Sequence, residues 1–201
     1  PEDSDGGTQK GAVWILFMNA DGTVNSHQKI SSLAGGFTGT LDAGDLFGCS
    51  LANLGDLDGD GVTDIAAGAY LDDDGGADVG AVWVLFMNSD GTVKAHQKIS
   101  AVEGGFEAGG LAAGNQFGTA LSATGDLDGD GLCDLAVGVP GYNNQYGAVW
   151  LLFLDSDGMV RSHSRIGYYA GNFLGTMYYQ DGFGSAPVSY THLTLPTNRE
   201  V

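Results

Sequence analysis

Two segments of the chain concentrate carboxylates at a spacing that suits a hard cation. They are Asp56-Leu57-Asp58-Gly59-Asp60-Gly61-Val62-Thr63-Asp64 and Asp126-Leu127-Asp128-Gly129-Asp130-Gly131-Leu132-Cys133-Asp134. Calcium takes six to eight oxygen ligands at about 2.3–2.6 Å. Aspartates at positions 1, 3 and 5 of a curled loop can turn their carboxylates toward one centre. Glycines at positions 4 and 6 allow backbone conformations that a β-carbon disfavours. Position 7, Val62 or Leu132, would offer a backbone carbonyl, and Asp64 or Asp134 at position 9 would close the cage.

Other chemistries fit less well. An EF-hand loop has twelve positions, ends on a bidentate Glu and leads into a helix. Here position 12 is Ala67 or Val137, inside an apolar run. Magnesium prefers a stiff octahedron that keeps several waters. Zinc wants His or Cys, and Cys133 falls at position 8, where the first loop has Thr63. A plain acidic turn without metal would leave four aspartates in nine residues repelling one another, twice over. The expected cofactor is therefore Ca2+, at two sites.

The elements around these loops repeat. Phe-Gly occurs at Phe47, Phe117 and Phe183, and Gly-Ala-Val-Trp starts at Gly11, Gly80 and Gly147. Asp-Gly turns follow at Asp21, Asp90 and Asp157, and His27, His96 and His163 keep the same register. A period of roughly 70 residues is the first fact to explain. Each repeat reads as four strands: Phe47 to about Leu54, Asp64 to Ala69, Ala81 to Met87 and Thr92 to Ser100. The third is apolar throughout, as a strand buried on both faces should be. The fourth is polar and alternating, as an outer strand should be. A glycine-rich connection, Ala101 to Gln116, leads to the next Phe-Gly. Apolar residues show no 3.6-residue period, which argues against helical repeats.

The expected fold is all-β, with β-propeller blades of four antiparallel strands. Residues 1–46 read as the C-terminal half of a preceding blade, 47–116 and 117–182 as two blades with calcium loops, and 183–187 as the start of another. Propellers have four to eight blades, so an incomplete propeller belonging to a larger protein is expected. A third acidic loop falls due near His192 and is missing. Residues 188–201 match nothing in the repeat and resemble a translated sequencing adapter, so a non-native tail is expected there.

At this point the residues resemble a known family. Phe-Gly, then Asp-x-Asp-x-Asp-Gly-x-x-Asp, then Ala66-Ala67-Gly68-Ala69 or Val137-Gly138-Val139-Pro140, is similar to the FG-GAP repeat of integrin α-subunit propellers and bacterial extracellular propellers. Ala69-Tyr70 and Val139-Pro140 only approximate that repeat's Gly-Ala-Pro element. The resemblance implies a propeller, usually seven-bladed, with calcium between the first two strands of a blade. Its calcium positions fall on Asp56, Asp58, Asp60, Val62 and Asp64, and on Asp126, Asp128, Asp130, Leu132 and Asp134. It implies a secreted or cell-surface setting, bacterial in flavour.

Composition narrows the partners. Acids outnumber bases 25 to 7, for a net charge of −18. Such a surface repels nucleic acid and anionic membranes. Apolar runs reach about seven residues, far short of the ~20 that a membrane-spanning helix needs. Cys49 and Cys133 are read as small buried thiols, unpaired. The chain has no Gly-x-Ser-x-Gly, His-Glu-x-x-His or phosphate loop, so no enzyme is expected. Trp14, Trp83 and Trp150 are expected to pack between blades, and the three histidines to be ordinary strand surface.

In a meander successive turns alternate between ends. The calcium loops and Asp-Gly hairpins should then share one face, and the loops between second and third strands should share the other with the inter-blade connections. Seven of eight tyrosines lie in or beside those second-face segments. Tyr142, Tyr146, Tyr168 and Tyr169 are candidates to meet a partner, since tyrosine buries much area at low entropy cost. Packing between blades is the alternative. Two functions remain open: an adhesion module binding a protein or glycan, with the remaining blades as its other partner, or a non-catalytic propeller attached to a secreted hydrolase or lyase.

Overall fold

A computed structural model of the protein describes residues 3–106 and 110–187. The tail at 188–201 lies outside the described residues. Ten strands form three antiparallel sheets. β1 (Val13–Met18) and β2 (Val24–Ile30) make a two-stranded sheet. β3 (Leu51–Gly55), β4 (Asp64–Ala69), β5 (Ala81–Met87) and β6 (Val93–Ile99) form one four-stranded meander. β7 (Ala120–Gly125), β8 (Asp134–Val139), β9 (Ala148–Leu154) and β10 (Val160–Gly167) form the next. These are two propeller blades, preceded by the last two strands of another. Among the described residues no helix is long and apolar enough to cross a membrane.

The cores lie between the sheets. Trp83, Leu85 and Met87 of β5 pack with Val13, Ile30, Phe37 and Phe47 from the first sheet and its connection. Val82, Val84 and Phe86, the alternate residues, pack with Leu135, Val137, Trp150 and Leu152 of the following blade. Side chains alternate across a strand, and both faces of β5 meet a neighbour, so its whole run is apolar. β1 has the same pattern but is covered on one face among the described residues, and Trp14, Leu16 and Met18 are about half exposed, at 50, 52 and 55%.

The first strand of each blade starts later than expected, at Leu51 or Ala120. The Phe-Gly pair belongs to the connection instead. Phe47 and Phe117 are fully buried plugs, stacked on Phe37 and Phe106 at 5.1 and 5.0 Å. Their backbones bond to the preceding sheet: Phe47, Phe117 and Phe183 N–H groups donate to the carbonyls of Lys10, Val79 and Tyr146 at 2.9, 2.8 and 3.1 Å. The following residue, Gly11, Gly80 or Gly147, must be glycine. A β-carbon there would sit 2.1–2.2 Å from the carbonyl oxygen of the phenylalanine, and φ is +82 to +90°.

A side chain fixes each connection just before its plug. Asp45, Asn115 and Asp181 accept the N–H groups of Asp42, Ala112 and Tyr178 at 2.7, 2.9 and 2.6 Å. Asp45 is buried, and desolvation pushes its carboxyl up to about 6, with repulsion from Asp72 and Asp42 adding to this and Lys98 opposing it.

Two of the three histidines depart from expectation, while His27 is exposed strand surface as expected. His96 lies 5.3 Å from Trp83 and 5.1 Å from Phe37, and its Nε2 is 3.1 Å from the Thr38 hydroxyl. His163 meets Trp150 and Phe106 at 5.2 and 5.0 Å. They are half-buried caps on aromatic clusters, because the inter-blade phenylalanine reaches out under the outer strand. Cys49 and Cys133 are unpaired, and half-buried rather than fully buried.

Two outcomes follow. Gly80→Ala should cost about 2–4 kcal/mol, from left-handed strain plus a backbone clash, measured as a lower urea midpoint. Asp45 has a folded pKa above its unfolded value, so its contribution is fullest below pH 4 and lost as pH rises through about 6. Asp45→Asn keeps the acceptor, as Asn115 does. It should raise stability at pH 8 by on the order of 1–3 kcal/mol and flatten the profile between pH 4 and 7. An unchanged profile in chelator-containing buffer would count against this assignment.

Candidate metal centre

Both acidic loops connect the first two strands of a blade, β3 to β4 and β7 to β8. Gly59 and Gly61 have φ of +81 and +88°, and a β-carbon on either would meet nothing within 4 Å. Glycine is needed there for conformation, not for space. The curl is held by the carboxylates themselves. Asp56 accepts the N–H groups of Gly59 and Gly61 at 2.9 and 2.8 Å, and Asp60 accepts that of Val62 at 2.8 Å. Asp126 and Asp130 repeat this on Gly129, Gly131 and Leu132 at 2.6, 2.9 and 2.8 Å.

The result is convergence. Asp56, Asp58 and Asp60 bring carboxylate oxygens within 4.8 Å of one another, and so do Asp126, Asp128 and Asp130. Val62 and Leu132 turn their side chains onto the cores, which leaves the backbone as what they can offer an ion. Asp64 and Asp134 do not join the convergent set. They are fully buried beneath it. Asp64 accepts the Leu57 N–H at 2.9 Å and the Met87 N–H at 2.9 Å, so it ties the loop to the end of β5. Asp134 accepts the Leu127 N–H at 2.8 Å. Its Oδ1 is buried without a hydrogen bond. Burial pushes both carboxyls up from the ordinary range, and the backbone N–H bonds oppose that shift.

Each cluster already holds a positive charge. Lys94 on β6 reaches Asp58 at 2.7 Å and also pairs with Asp60. Arg161 on β10 reaches Asp128 and Asp130 at 2.5 and 2.8 Å. Lys94 lowers the Asp60 pKa and is itself raised by Asp58 and Asp60. The sequence reading passed over these two residues. Both stand four positions after the aspartate of the Asp-Gly turn, Asp90 or Asp157, in a strand that otherwise reads as surface. Three acceptor-only carboxylates around a tethered cation are a donor set that fits a divalent ion. The ion pairs also place the loops and the hairpins at one end of each blade, as the meander requires.

The tyrosines gather at the other end. Tyr146 stacks on Tyr168 at 4.7 Å, and Tyr168 meets Tyr169 at 4.1 Å. Tyr142 stands edge-on to Trp150 at 6.0 Å, and its hydroxyl accepts from Arg165. Tyr169 is exposed, whereas the other three are half-buried. Tyr142 packs on the core, and Tyr169 faces solvent.

Residues 47–85 and 117–152, which span Phe-Gly, loop and the next strands, match the model of the FG-GAP repeat. The chain belongs to the FG-GAP repeat family. Integrin alpha-PS2 of Drosophila melanogaster is 39% identical to it over 102 residues, 48% of the chain and 7% of that protein. Integrin alpha-PS5 of the same organism is 34% identical over 137 residues, 68% of the chain and 12% of that protein. Integrin alpha-3 of Cricetulus griseus is 30% identical over 156 residues, 78% and 13%. This FG-GAP chain thus spans 7–13% of the length of these relatives.

The buried and exposed aspartates should separate cleanly in chelator. Asp64→Asn puts an NH2 donor where one carboxylate oxygen accepts a backbone N–H, and should cost about 1–3 kcal/mol without any metal. Asp58→Asn, on the solvent side, should change stability by less than about 1 kcal/mol. Equal effects in urea melts would contradict the division of labour drawn above.

Proposed function

We infer that this FG-GAP chain is a calcium-stabilised β-propeller module for adhesion, acting at the cell surface or outside the cell. The observation that carries the calcium reading is the twice-built convergence of three carboxylates within 4.8 Å. Asp56, Asp58 and Asp60, with the Val62 carbonyl, would hold one ion, and Asp126, Asp128, Asp130 and the Leu132 carbonyl the other. Asp134 has a buried Oδ1 without a hydrogen bond and can contribute an oxygen, whereas Asp64 would have to share an oxygen that already accepts a backbone N–H. Calcium supplies charge neutralisation and cross-links the loop, so ion binding adds to folding free energy. Lys94 and Arg161 would have to yield their places, which makes them internal competitors.

Similarity to integrin α-subunits supports an adhesive role and a protein or glycan ligand. No nucleophile or general base accompanies the loops, and this supports a structural rather than catalytic use of the metal. The face opposite the loops, with its tyrosines, is the better place for a ligand because the loop end is committed to holding the blade.

The test is thermal melting of the intact protein with calcium and with chelator. A site held at a hundred times its Kd gains about 2.7 kcal/mol, so two sites should raise the melting temperature by about 5 °C or more. The double change Lys94→Met with Arg161→Met should tighten calcium binding in a direct titration. No melting shift at saturating calcium would sink the metal reading.

A further inference from the structure

A basic residue near the end of each outer strand lies over the blade tryptophan. Lys29 and Lys98 Nζ are 5.6 and 5.3 Å from the Trp14 and Trp83 rings, and Arg165 Cζ is 5.7 Å from the Trp150 ring. All three pairs are directly opposed in register. In the first two sheets an Asp-x-Asp segment clamps the ammonium. Asp3 and Asp5 lie 2.7 and 2.5 Å from Lys29, and Asp72 and Asp74 lie 2.9 and 2.5 Å from Lys98. A serine at the strand end steadies the second aspartate, Ser31 on Asp5 at 3.3 Å and Ser100 on Asp74 at 3.5 Å.

In the last blade every part of that clamp is changed. The loop from Val139 to Gly147 has seven intervening residues against ten between Ala69 and Gly80, and it holds no acid. Gly167 stands where Ser100 stood. Among the described residues no carboxylate pairs with Arg165; its guanidinium donates to the Tyr142 hydroxyl and lies 4.7 Å from that ring. Asn143 and Asn144 adopt φ of 50 and 58°. Such conformations cost free energy in a non-glycine residue and recur at binding sites. Arg165, Asn143, Gly167 and Tyr168 line a cavity of about 180 Å3, and Asn143 and Tyr142 also border a neighbouring one of about 540 Å3.

A guanidinium presents a planar fork of donors suited to a carboxylate. We propose that the Arg165 cavity binds an Asp-x-Asp segment of a protein partner, filling in trans the place that Asp72 and Asp74 fill in cis. This rests on the interaction-module reading given above. A peptide is favoured over an acidic glycan because an Asp-x-Asp peptide is the ligand that the same position holds twice in this chain. The net charge of −18 opposes an acidic partner at long range, so recognition depends on short-range contacts and the affinity is weak.

The test titrates the peptide Leu-Asp-Asp-Asp-Gly-Gly, the sequence of residues 71–76, into the intact protein with NMR detection. Saturable shifts are expected at the Arg165 side chain and the Tyr142 and Tyr168 rings. Asparagine in place of the peptide's first and third aspartates should weaken binding at least about tenfold, or 1.4 kcal/mol, and so should Arg165→Met. Asn143→Asp tolerates the left-handed backbone and supplies a carboxylate in cis; it should also weaken binding without lowering the melting temperature. Undiminished binding by a folded Arg165→Met protein overturns the proposal, as does the absence of saturation at about 10 mM. Saturation by oligoglucuronate but not by the peptide assigns the cavity to a glycan and overturns it too. If the protein still binds a cell-surface ligand that the peptide fails to displace, the Arg165 site is lost while the adhesion reading stands.

Discussion

One backbone contact organises the molecule: a phenylalanine peptide laid directly against a glycine at the entrance to the third strand of the preceding sheet. Gly11 meets Phe47, Gly80 meets Phe117 and Gly147 meets Phe183, each within about 2 Å of where a β-carbon would be. The contact leaves no room for a side chain, so it fixes how far apart neighbouring sheets can sit. It also drives the phenylalanine ring inward, where Phe47 and Phe117 stack on Phe37 and Phe106. Trp83 and Trp150 then stand edge-on to Phe37 and Phe106 at 5.1 and 5.2 Å. Blade spacing, core composition and the burial of β5 on both faces all follow from that approach.

The acidic loops work at the other end of the blade and depend on a second buried contact. Asp64 joins the Leu57 N–H of the loop to the Met87 N–H at the end of β5. A carboxylate this far inside is costly unless its oxygens are bonded. Its two N–H partners offset that cost and at the same time decide where the loop stands relative to the hairpin. The hairpin in turn presents Lys94 to Asp58 and Asp60. Cation attraction at the loop is therefore prepared by strands, not by the loop alone.

Much of this was legible in the residues. The 70-residue recurrence, the alternation in the strands and the Asp-Gly turns gave the sheet order and both acidic loops, because each depends on local chemistry. Three things were hidden. The Phe-Gly pair read as the start of a strand, since an apolar residue before a strand looks the same whether it pairs or plugs. His96 and His163 read as surface, because their partners Phe37 and Phe106 lie some 60 residues away in the chain. Lys94 and Arg161 read as exposed charges, and only the antiparallel fold-back brings them over the loops. Asp64 gave a mixed result: its position in the motif marked it as part of the loop, but not that both its oxygens are taken by backbone.

A repeat protein carries its own controls, and these separate two kinds of departure. Asn115 replaces Asp45 and Asp181, yet it accepts the same N–H at nearly the same distance, so the change is silent in structure. The surroundings of Arg165 changed together instead. The acids left the loop, the loop shortened by three residues, the serine became glycine, lysine became arginine, and two asparagines took left-handed backbone. Loss of a clamp through drift would leave a lysine free to move into water, since its stem is flexible. What stands there is a planar cation held in place by Tyr142 and Trp150 beside a cavity. Holding a charge still without giving it a counter-charge costs free energy, and that cost is recovered when a carboxylate arrives from outside.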